Sequence, residues 1–179
     1  CNSFFGQNVA ISLFQLHQKS IRENKVYGLE EDNFIGKTVQ INTPNRSWSD
    51  FYIENRIMYL VNLLKESRSL SQKFKEKIKI TINAIVKIIP EKPICSLCHG
   101  DLWSGNVLVN NNNETYFIDP AIYYGDPWSD IAMTMLFGGF TNEFYQTYEN
   151  LQGTFPSQKL IKSYQLYHLL NHYYLFGDS

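Results

Sequence analysis

Apolar residues recur at helical spacing in three separate parts of the chain. In residues 4–18, apolar side chains at positions 5, 9, 13 and 16 would share one face of a helix. A second helix is predicted from a capping sequence at Ser47 to about Glu66, and a third from Phe74 until Pro90. Lysines follow the other side of this third helix, which is typical of a solvated helix face.

The intervening and following segments have a different character. Residues 26–47 are irregular and rich in Gly and Asn, and their length favours a functional surface loop over a passive connection. Short strands and tight turns are predicted from Lys92, and helices again from Ser129, interrupted by a Gly-Gly pair at 138–139. The last stretch, 160–177, is apolar nearly all round and predicts a buried helix.

Two histidines on that last helix, His168 and His172, lie four positions apart. This spacing can bind a metal ion, but no Glu completes an H-E-x-x-H motif. We therefore favour histidines that lie in the core or line a pocket.

Composition and charge narrow the class of protein. A chain of 179 residues with 44% hydrophobic and 15% aromatic residues can form one domain with a real core. Its 16 basic and 17 acidic residues give no electrostatic reason to bind nucleic acid or a membrane surface. With no apolar run long enough to cross a bilayer, we expect a cytoplasmic protein with neither partner.

The three cysteines indicate neither a disulfide framework nor a metal centre. Cys1 is terminal, and Cys95 and Cys98 form a single C-x2-C pair. Zinc would need two further ligands at matching spacing, and a redox pair would be expected to open a helix. The surrounding sequence reads as a strand entering a loop, so we expect two small, buried strand residues.

A β-hairpin is predicted near the middle of the chain. The β-prone triplets 107–109 and 116–118 flank a run of asparagines, and Asn tolerates positive φ. A two-residue turn at 112–113 would join them. In that register Asn106 lies directly opposite Asp119 at the open end of the hairpin.

Asp101 lies five residues before Asn106, on the loop that leads to the same end of the hairpin. Two carboxylates and an amide oxygen in one place repel one another unless a cation lies among them, and such oxygen ligands suit Mg²⁺. Any one of these residues alone would be interpreted as a turn cap. Together with His99, their spacing favours a functional site.

The same spacing occurs in the catalytic loops of kinases. In the protein-kinase pattern an Asp accepts the proton of the substrate hydroxyl, an Asn five residues later holds Mg²⁺, and an Asp on the next hairpin holds Mg²⁺ against the ATP phosphates. Asp101, Asn106 and Asp119 fit these places in order. Pro120-Ala121 after the last Asp, and His-Gly-Asp instead of His-Arg-Asp, point to small-molecule kinases such as aminoglycoside phosphotransferases and choline kinases.

Several motifs narrow the resemblance further. HGDLWSGN, IDPA, YYG, LFGGF and the closing YQLYHLLNHYYLFG resemble the fructosamine kinase (ketosamine-3-kinase) family over nearly the whole chain. The resemblance implies an α+β fold of the protein-kinase-like C-terminal lobe, mostly helical, with a small β-hairpin that carries the catalytic and metal residues. It also implies an enzyme that uses ATP and Mg²⁺ to phosphorylate O3 of ketosamine sugars on amines or protein lysines, which leads to deglycation.

The resemblance also implies roles for individual residues. Asp101 would be the catalytic base, Asn106 and Asp119 the Mg²⁺ ligands, and His99 the residue that orients the catalytic loop.

Two further residues have two interpretations each. Trp103 would be a wall of the sugar site, or a half-buried loop anchor. Asp130 resembles the Asp that supports the catalytic loop from the next helix, although it could be an ordinary acidic residue in a first helical turn.

Two departures from the family leave alternatives open. After YYG, residues 126–129 read DPWS, which is closer to aminoglycoside and choline kinases and allows another small hydroxylated amine as acceptor. The glycine-rich loop, strand Lys and Glu that clamp ATP are absent from this chain. We therefore expect residues 1–179 to be a C-terminal lobe that is inactive alone, with a non-catalytic binding module as the alternative from another class.

Overall fold

Helices are the main regular elements of the fold, and the strands between them are three residues long. The computed structural model describes residues 3–177, with side chains from Gly6 onward, so Cys1 and the Phe5 side chain lie outside the described residues. The helices are α1 (Ser3–Lys19), α2 (Trp48–Tyr52), α3 (Tyr59–Ser67), α4 (Gln72–Ile85), α5 (Trp128–Thr134), α6 (Asn142–Gln152) and α7 (Gln158–Phe176). The strands are β1 (Asn33–Ile35), β2 (Thr38–Gln40), β3 (Ser96–Cys98), β4 (Val107–Val109), β5 (Thr115–Phe117) and β6 (Tyr123–Gly125). They pair antiparallel as β1–β2, β3–β6 and β4–β5.

The first two predicted helices form, and the second contains an irregularity that the sequence does not reveal. Ser47 caps α2 as predicted, its Oγ accepting the Asp50 backbone N–H at 3.2 Å. Between α2 and α3 the chain makes a π-helical segment, Ile53–Met58, of the kind that interrupts α-helices at sites with special packing. Arg56 in this segment is fully buried, with its guanidinium over the Tyr123 ring.

The later helices depart from the predictions in extent and burial. Helix α4 ends at Ile85, before Pro90, and Ile85 and Ile89 are the fully buried members of its predicted apolar stripe. The expectation of all-round burial for the last helix is wrong, because Leu169 and Phe176 of α7 are exposed. Burial on α7 is one-sided, since the helix packs on α5 and α3 and leaves its other face to solvent.

The segment 26–47 is not irregular throughout, which corrects the sequence interpretation. It contains the β1–β2 hairpin, whose two-residue turn begins at Gly36 with φ 59°. A Gly in the first position of such a turn is a recognised hairpin signal. The hairpin is held against α7, because Tyr167 Oη donates to Gln40 Oε1 at 2.8 Å.

Trp48 lies at the centre of an aromatic core. Its ring is stacked on those of Phe51 and Tyr123, and its Nε1 donates to Tyr164 Oη at 2.9 Å. Tyr164 Oη in turn donates to Asp126 Oδ2 at 2.6 Å, so a buried polar chain crosses the aromatic cluster. The core therefore fixes α7 against β6 and the start of α5.

The cysteine prediction is confirmed. Cys95 and Cys98 are buried free thiols at the β3 strand. Burial raises the pKa of the Cys95 thiol to about 11, so it is a neutral core side chain at physiological pH. Among residues 3–177, no helix is long and apolar enough to cross a membrane.

Candidate active site

The β4–β5 hairpin forms, but its register is one residue away from the predicted one. Val107 pairs with Phe117, and the Ile118 N–H donates to the Asn106 carbonyl at 3.0 Å. Asn106 is therefore opposite Ile118, and the predicted direct pairing of Asn106 with Asp119 is wrong.

The connecting loop explains the shift. The loop has three residues, 111–113, because Asn110 pairs with Glu114 through its backbone N–H at 3.1 Å. The Asn110 side-chain oxygen accepts the N–H groups of Asn112 and Glu114, and Asn113 takes φ 62°. In three-residue hairpin loops the last residue commonly adopts positive φ. The asparagines therefore indicated a turn correctly, but the turn is one residue longer than predicted.

His99 connects the loop of Asp101 to the segment that precedes Asp119. Its Nε2 donates to the Ile118 carbonyl at 3.0 Å, and its Nδ1 accepts the Asp101 backbone N–H at 3.2 Å. A carbonyl only accepts and an N–H only donates, so these contacts select the neutral tautomer protonated at Nε2. The two acidic loops therefore have a fixed relation even though the two residues are not paired across the hairpin.

Asn106 adds a second connection within the loop of Asp101. Its amide Nδ2 donates to the Asp101 carbonyl at 2.9 Å, and the side chain is buried. This contact uses the amide nitrogen and leaves the amide oxygen for a different partner. The following Asp119 is exposed and has φ 49°, a backbone conformation that Asp tolerates better than most residues.

The carboxyl group of Asp101 is half-buried, and its environment makes it a stronger base. Burial raises its pKa, and the carboxylates of Asp130 and Asp119 raise it further.

Asp130, in the first turn of α5, is fully buried beneath the loop of Asp101. Its Oδ2 accepts the His99 backbone N–H at 2.7 Å, and its Oδ1 accepts the Gly100 N–H at 2.9 Å. Gly100 has φ 82°, and a Cβ there would meet the Ala121 carbonyl oxygen. The loop conformation thus depends on the Asp130 carboxylate, which binds its N–H groups, and on the absence of a side chain at Gly100, where Ala121 leaves no space.

His17 of α1 completes this network, although no motif in the sequence singles it out. Its Nε2 lies 3.1 Å from Asp130 Oδ2, and its Nδ1 lies 2.7 Å from Tyr148 Oη. Burial alone would raise the pKa of Asp130, but the His17 hydrogen bond and charge, with help from the Gly100 N–H, lower it. No local signal in the sequence links His17 to a residue 113 positions away.

Beside Asp101 lies a cavity of about 360 Å³. Its lining comes from the loop of Asp101, the first hairpin, the end of α5 and one face of α7. The lining residues are Asp101, Trp103, Ile35, Gly36, Met133, Phe137, His168, Asn171, His172, Leu175 and Phe176. The interpretation of His168 and His172 as core or pocket-lining residues is confirmed. Burial lowers the pKa of His168 to about 4, so its imidazole is neutral at physiological pH.

Trp103 fits both of its interpretations. Its ring lies over Gly105, where a Cβ would meet the indole, so it anchors the loop. It is also 43% exposed and lines the cavity next to Asp101. Aromatic faces in this position can pack on the C–H faces of a sugar ring or on an alkyl chain.

Within residues 3–177, no group of three or more His, Cys, Asp or Glu side chains is arranged to hold a metal ion. A magnesium site needs fewer protein ligands, because Mg²⁺ keeps several waters and takes other ligands from phosphates. A carboxylate at Asp119 and an amide oxygen at Asn106 are hard donors of the kind Mg²⁺ prefers. The donor set therefore fits Mg²⁺ bound together with a phosphate ligand.

The helices, together with the β4–β5 hairpin that follows the loop of Asp101, form a kinase-like fold. Comparison with solved structures supports this class. A crystal structure of a candidate fructosamine-3-kinase from Thermobifida fusca is similar over 100% of this chain and 62% of its own, with a TM-score of 0.86 and 28% identity. A second, from Haemophilus somnus, is 30% identical with a TM-score of 0.82 over 100% of this chain and 59% of its own.

The sequence comparisons identify the family. The sequence model of the fructosamine kinase family matches residues 3–179, so the chain belongs to that family. A probable ketoamine kinase from Vibrio parahaemolyticus is 43% identical over 98% of this chain and 58% of its own length. A chloroplastic protein-ribulosamine 3-kinase from Arabidopsis thaliana is 38% identical over 93% of this chain and 51% of its own. The chain thus spans a little over half the length of these relatives.

Proposed function

We propose that this chain is the C-terminal lobe of an ATP-dependent kinase that phosphorylates a sugar hydroxyl of ketosamines and so supports deglycation. The main support is the position of Asp101, which lines an aromatic-walled cavity while His99 ties its loop to the Asp119 segment. Family membership and the names of the relatives agree with this activity.

In the proposed reaction Asp101 acts as the general base. It accepts the proton of the acceptor hydroxyl as that oxygen forms a bond to the γ-phosphorus of ATP, and the bond to the β-phosphate oxygen breaks to release ADP. The raised pKa of Asp101 favours this proton transfer, because a carboxylate with a higher pKa is a stronger base. The buried Asp130 would keep the base in place through the His99 and Gly100 N–H groups.

Asn106 and Asp119 would hold Mg²⁺ against the ATP phosphates. When bound, the metal supplies positive charge that offsets the charge developing on the transferred phosphoryl group. The contribution of the chain is to keep the two ligands in a fixed relation to the base, through the Asn106 hydrogen bond to the Asp101 carbonyl and the His99 bridge.

The acceptor is proposed to occupy the cavity, with Trp103 as one wall. The alternative acceptors, aminoglycosides or choline-like amines, were suggested by residues 126–129. Of these residues, Asp126, Pro127 and Ser129 are buried, and none of the four lines the cavity. Asp126 instead accepts a hydrogen bond from Tyr164 in the core, so these residues support the fold and do not contact an acceptor in the proposed position.

A phosphoryl-transfer assay tests the proposal. The natural protein that contains this chain would be incubated with γ-labelled ATP, Mg²⁺ and, in parallel, a fructosamine, a ribulosamine, an aminoglycoside and choline. We expect label on a ketosamine and little on the other amines. Preferential labelling of the aminoglycoside or choline would overturn the acceptor class, and no transfer to any acceptor would support the non-catalytic binding module.

A further inference from the structure

The cavity beside the catalytic loop has a polar floor and an aromatic rim. His168 and Asn171 are 5% and 7% exposed and form part of the floor. Trp103, Phe137 and Phe176 are 43%, 49% and 61% exposed and surround the opening. A ligand that fits this arrangement has a hydroxylated end, which would be buried, and a less polar end that would leave past the rim.

Asn171 lines this floor and has an unsatisfied hydrogen-bonding group buried beneath it. Its buried Oδ1 has no hydrogen-bond partner, and within residues 6–177 it is the one cavity-lining side chain that carries such an atom. Buried polar groups are normally paired, because an unpaired one loses its contacts with water and gains nothing in return.

Another buried amide shows what full pairing looks like in this protein. Gln40 Nε2 donates to Asn33 Oδ1 at 2.8 Å and to the Ala121 carbonyl at 2.9 Å. Its Oε1 accepts from Tyr167 Oη at 2.8 Å. The donor and acceptor atoms of the Gln40 amide, which holds elements of the fold together, are therefore all hydrogen-bonded. The Asn171 amide, by contrast, can still accept a hydrogen bond from a further partner.

The position of Asn171 on α7 suits a ligand contact. His168 lies three residues earlier and so on the same helix face, and both line the cavity with Asp101. Rotation about the terminal Asn torsion, which is broad and roughly two-fold, can turn either the donor or the acceptor atom of the amide toward a ligand. The neighbouring imidazole is neutral, so it adds no charge to the floor around Asn171.

We propose that Asn171 is a specificity-determining residue, whose side-chain amide hydrogen-bonds the acceptor hydroxyl next to the one that reacts. Asp101 would hold the reacting hydroxyl and Asn171 its neighbour, so the site selects acceptors with two adjacent hydroxyls over amines with a single one. The inference rests on the proposed function for the identity of the reacting hydroxyl. It adds the neighbouring hydroxyl as the group that the cavity recognises.

The test is a binding experiment on the chain itself, which needs no ATP. Isothermal titration would compare a fructosamine of a simple alkylamine with its 4-deoxy analogue, which lacks the hydroxyl next to O3. We expect the unaltered chain to bind the analogue about 10-fold more weakly or worse, because the buried amide then stays unpaired. Asn171→Leu should bind both compounds with about equal, reduced affinity, and Leu169→Ala on the exposed face of the same helix should match the unaltered chain.

Several results would overturn the inference and leave the proposed kinase activity standing. One is equal affinity of the unaltered chain for the two compounds, and another is an Asn171→Leu variant that still discriminates between them. If Asn171→Leu does not fold, Asn171→Ser, which is smaller and still polar but too short to reach the same hydroxyl, should also lose the discrimination.

The failure of the proposed acceptor class is a distinct result. If the chain binds an aminoglycoside with adjacent hydroxyls better than the fructosamine, and Asn171→Leu removes that preference, the role of Asn171 stands and the ketosamine assignment fails. If the unaltered chain binds neither compound, the inference is wrong, since the cavity would not recognise hydroxyl pairs at all.

Discussion

Replacing Asp130 with Asn removes one buried charge and leaves the size of the side chain almost unchanged. The carboxylate accepts hydrogen bonds from the backbone N–H groups of His99 and Gly100 and from His17 Nε2, at 2.7, 2.9 and 3.1 Å. An Asn side chain has one acceptor oxygen, and its amide group would face at least one of these donors. Asp130→Asn therefore leaves a buried N–H group without a partner.

The expected cost follows from these contacts. Hydrogen bonds to charged groups contribute about 1.5–3 kcal/mol each, and breaking a buried ion pair by changing one partner costs about 3–5 kcal/mol. Asp130 is 1% exposed, so solvent does not screen the loss. We expect Asp130→Asn to lower the free energy of unfolding by about 3–5 kcal/mol at pH 7.

Denaturant unfolding of the 179-residue chain, followed by fluorescence of its three Trp residues, measures this difference. Asp119→Asn is the matched control, since Asp119 is exposed and Asn accepts its positive φ equally well. The control should lie within about 0.5 kcal/mol of the unaltered chain. If the two variants have the same stability, Asp130 does not support the catalytic loop as argued.

The pH dependence provides an independent check. The pKa of Asp130 is lower in the folded chain than in the unfolded one, so its stabilising effect is present above the unfolded value of about 3.9 and is lost as the pH falls through the folded value. The stability difference between the unaltered chain and Asp130→Asn should therefore shrink as the pH falls below about 4. A difference that does not change with pH in this range would contradict the assignment of the charge.

Two further predictions concern stability. Burial raises the pKa of Asp126 to about 6, so the carboxyl stabilises the fold below about pH 4 and this effect is lost as the pH rises through 6. Relative to the unaltered chain, the free energy of unfolding of Asp126→Asn should therefore rise by on the order of 3 kcal/mol between pH 4 and 7. A stability difference that does not change with pH would refute the raised pKa. Gly100→Ala should unfold at a much lower denaturant concentration than Gly138→Ala. Both glycines have positive φ, but only a methyl group at position 100 would meet backbone atoms, those of Ala121. Equal unfolding midpoints for the two variants would contradict this packing.

The local parts of the fold were predictable from the sequence. The Ser47 cap, the helical spacing of α1 and the β-prone triplets of the β4–β5 hairpin each depend on neighbours within a few residues. The hairpin register was not predictable, because it depends on whether Asn112 adopts positive φ together with Asn113, and Asn allows positive φ at either position. Gly36, which has positive φ at the start of a two-residue turn, is a local signal for the β1–β2 hairpin that the sequence interpretation of residues 26–47 did not include.

The candidate site divides in the same way. Asp101, Asn106 and Asp119 stand at a spacing that indicates phosphoryl transfer, because chemistry within one loop and hairpin leaves a pattern in the sequence. His17 and Asn171 belong to helices at the two ends of the chain, and tertiary packing alone brings them to the loop and cavity. No periodicity or motif distinguishes such residues from ordinary polar positions on a helix.

The turnover of Asp101→Asn in the natural protein that contains this chain tests the central claim most directly. Phosphoryl transfer from MgATP to a fructosamine would be measured together with the affinity for MgATP. We expect turnover to fall by about 10²–10⁴-fold with nucleotide affinity largely kept, because the variant loses the base and keeps Asn106 and Asp119. Unchanged turnover would show that Asp101 is not the base and would contradict the proposed site.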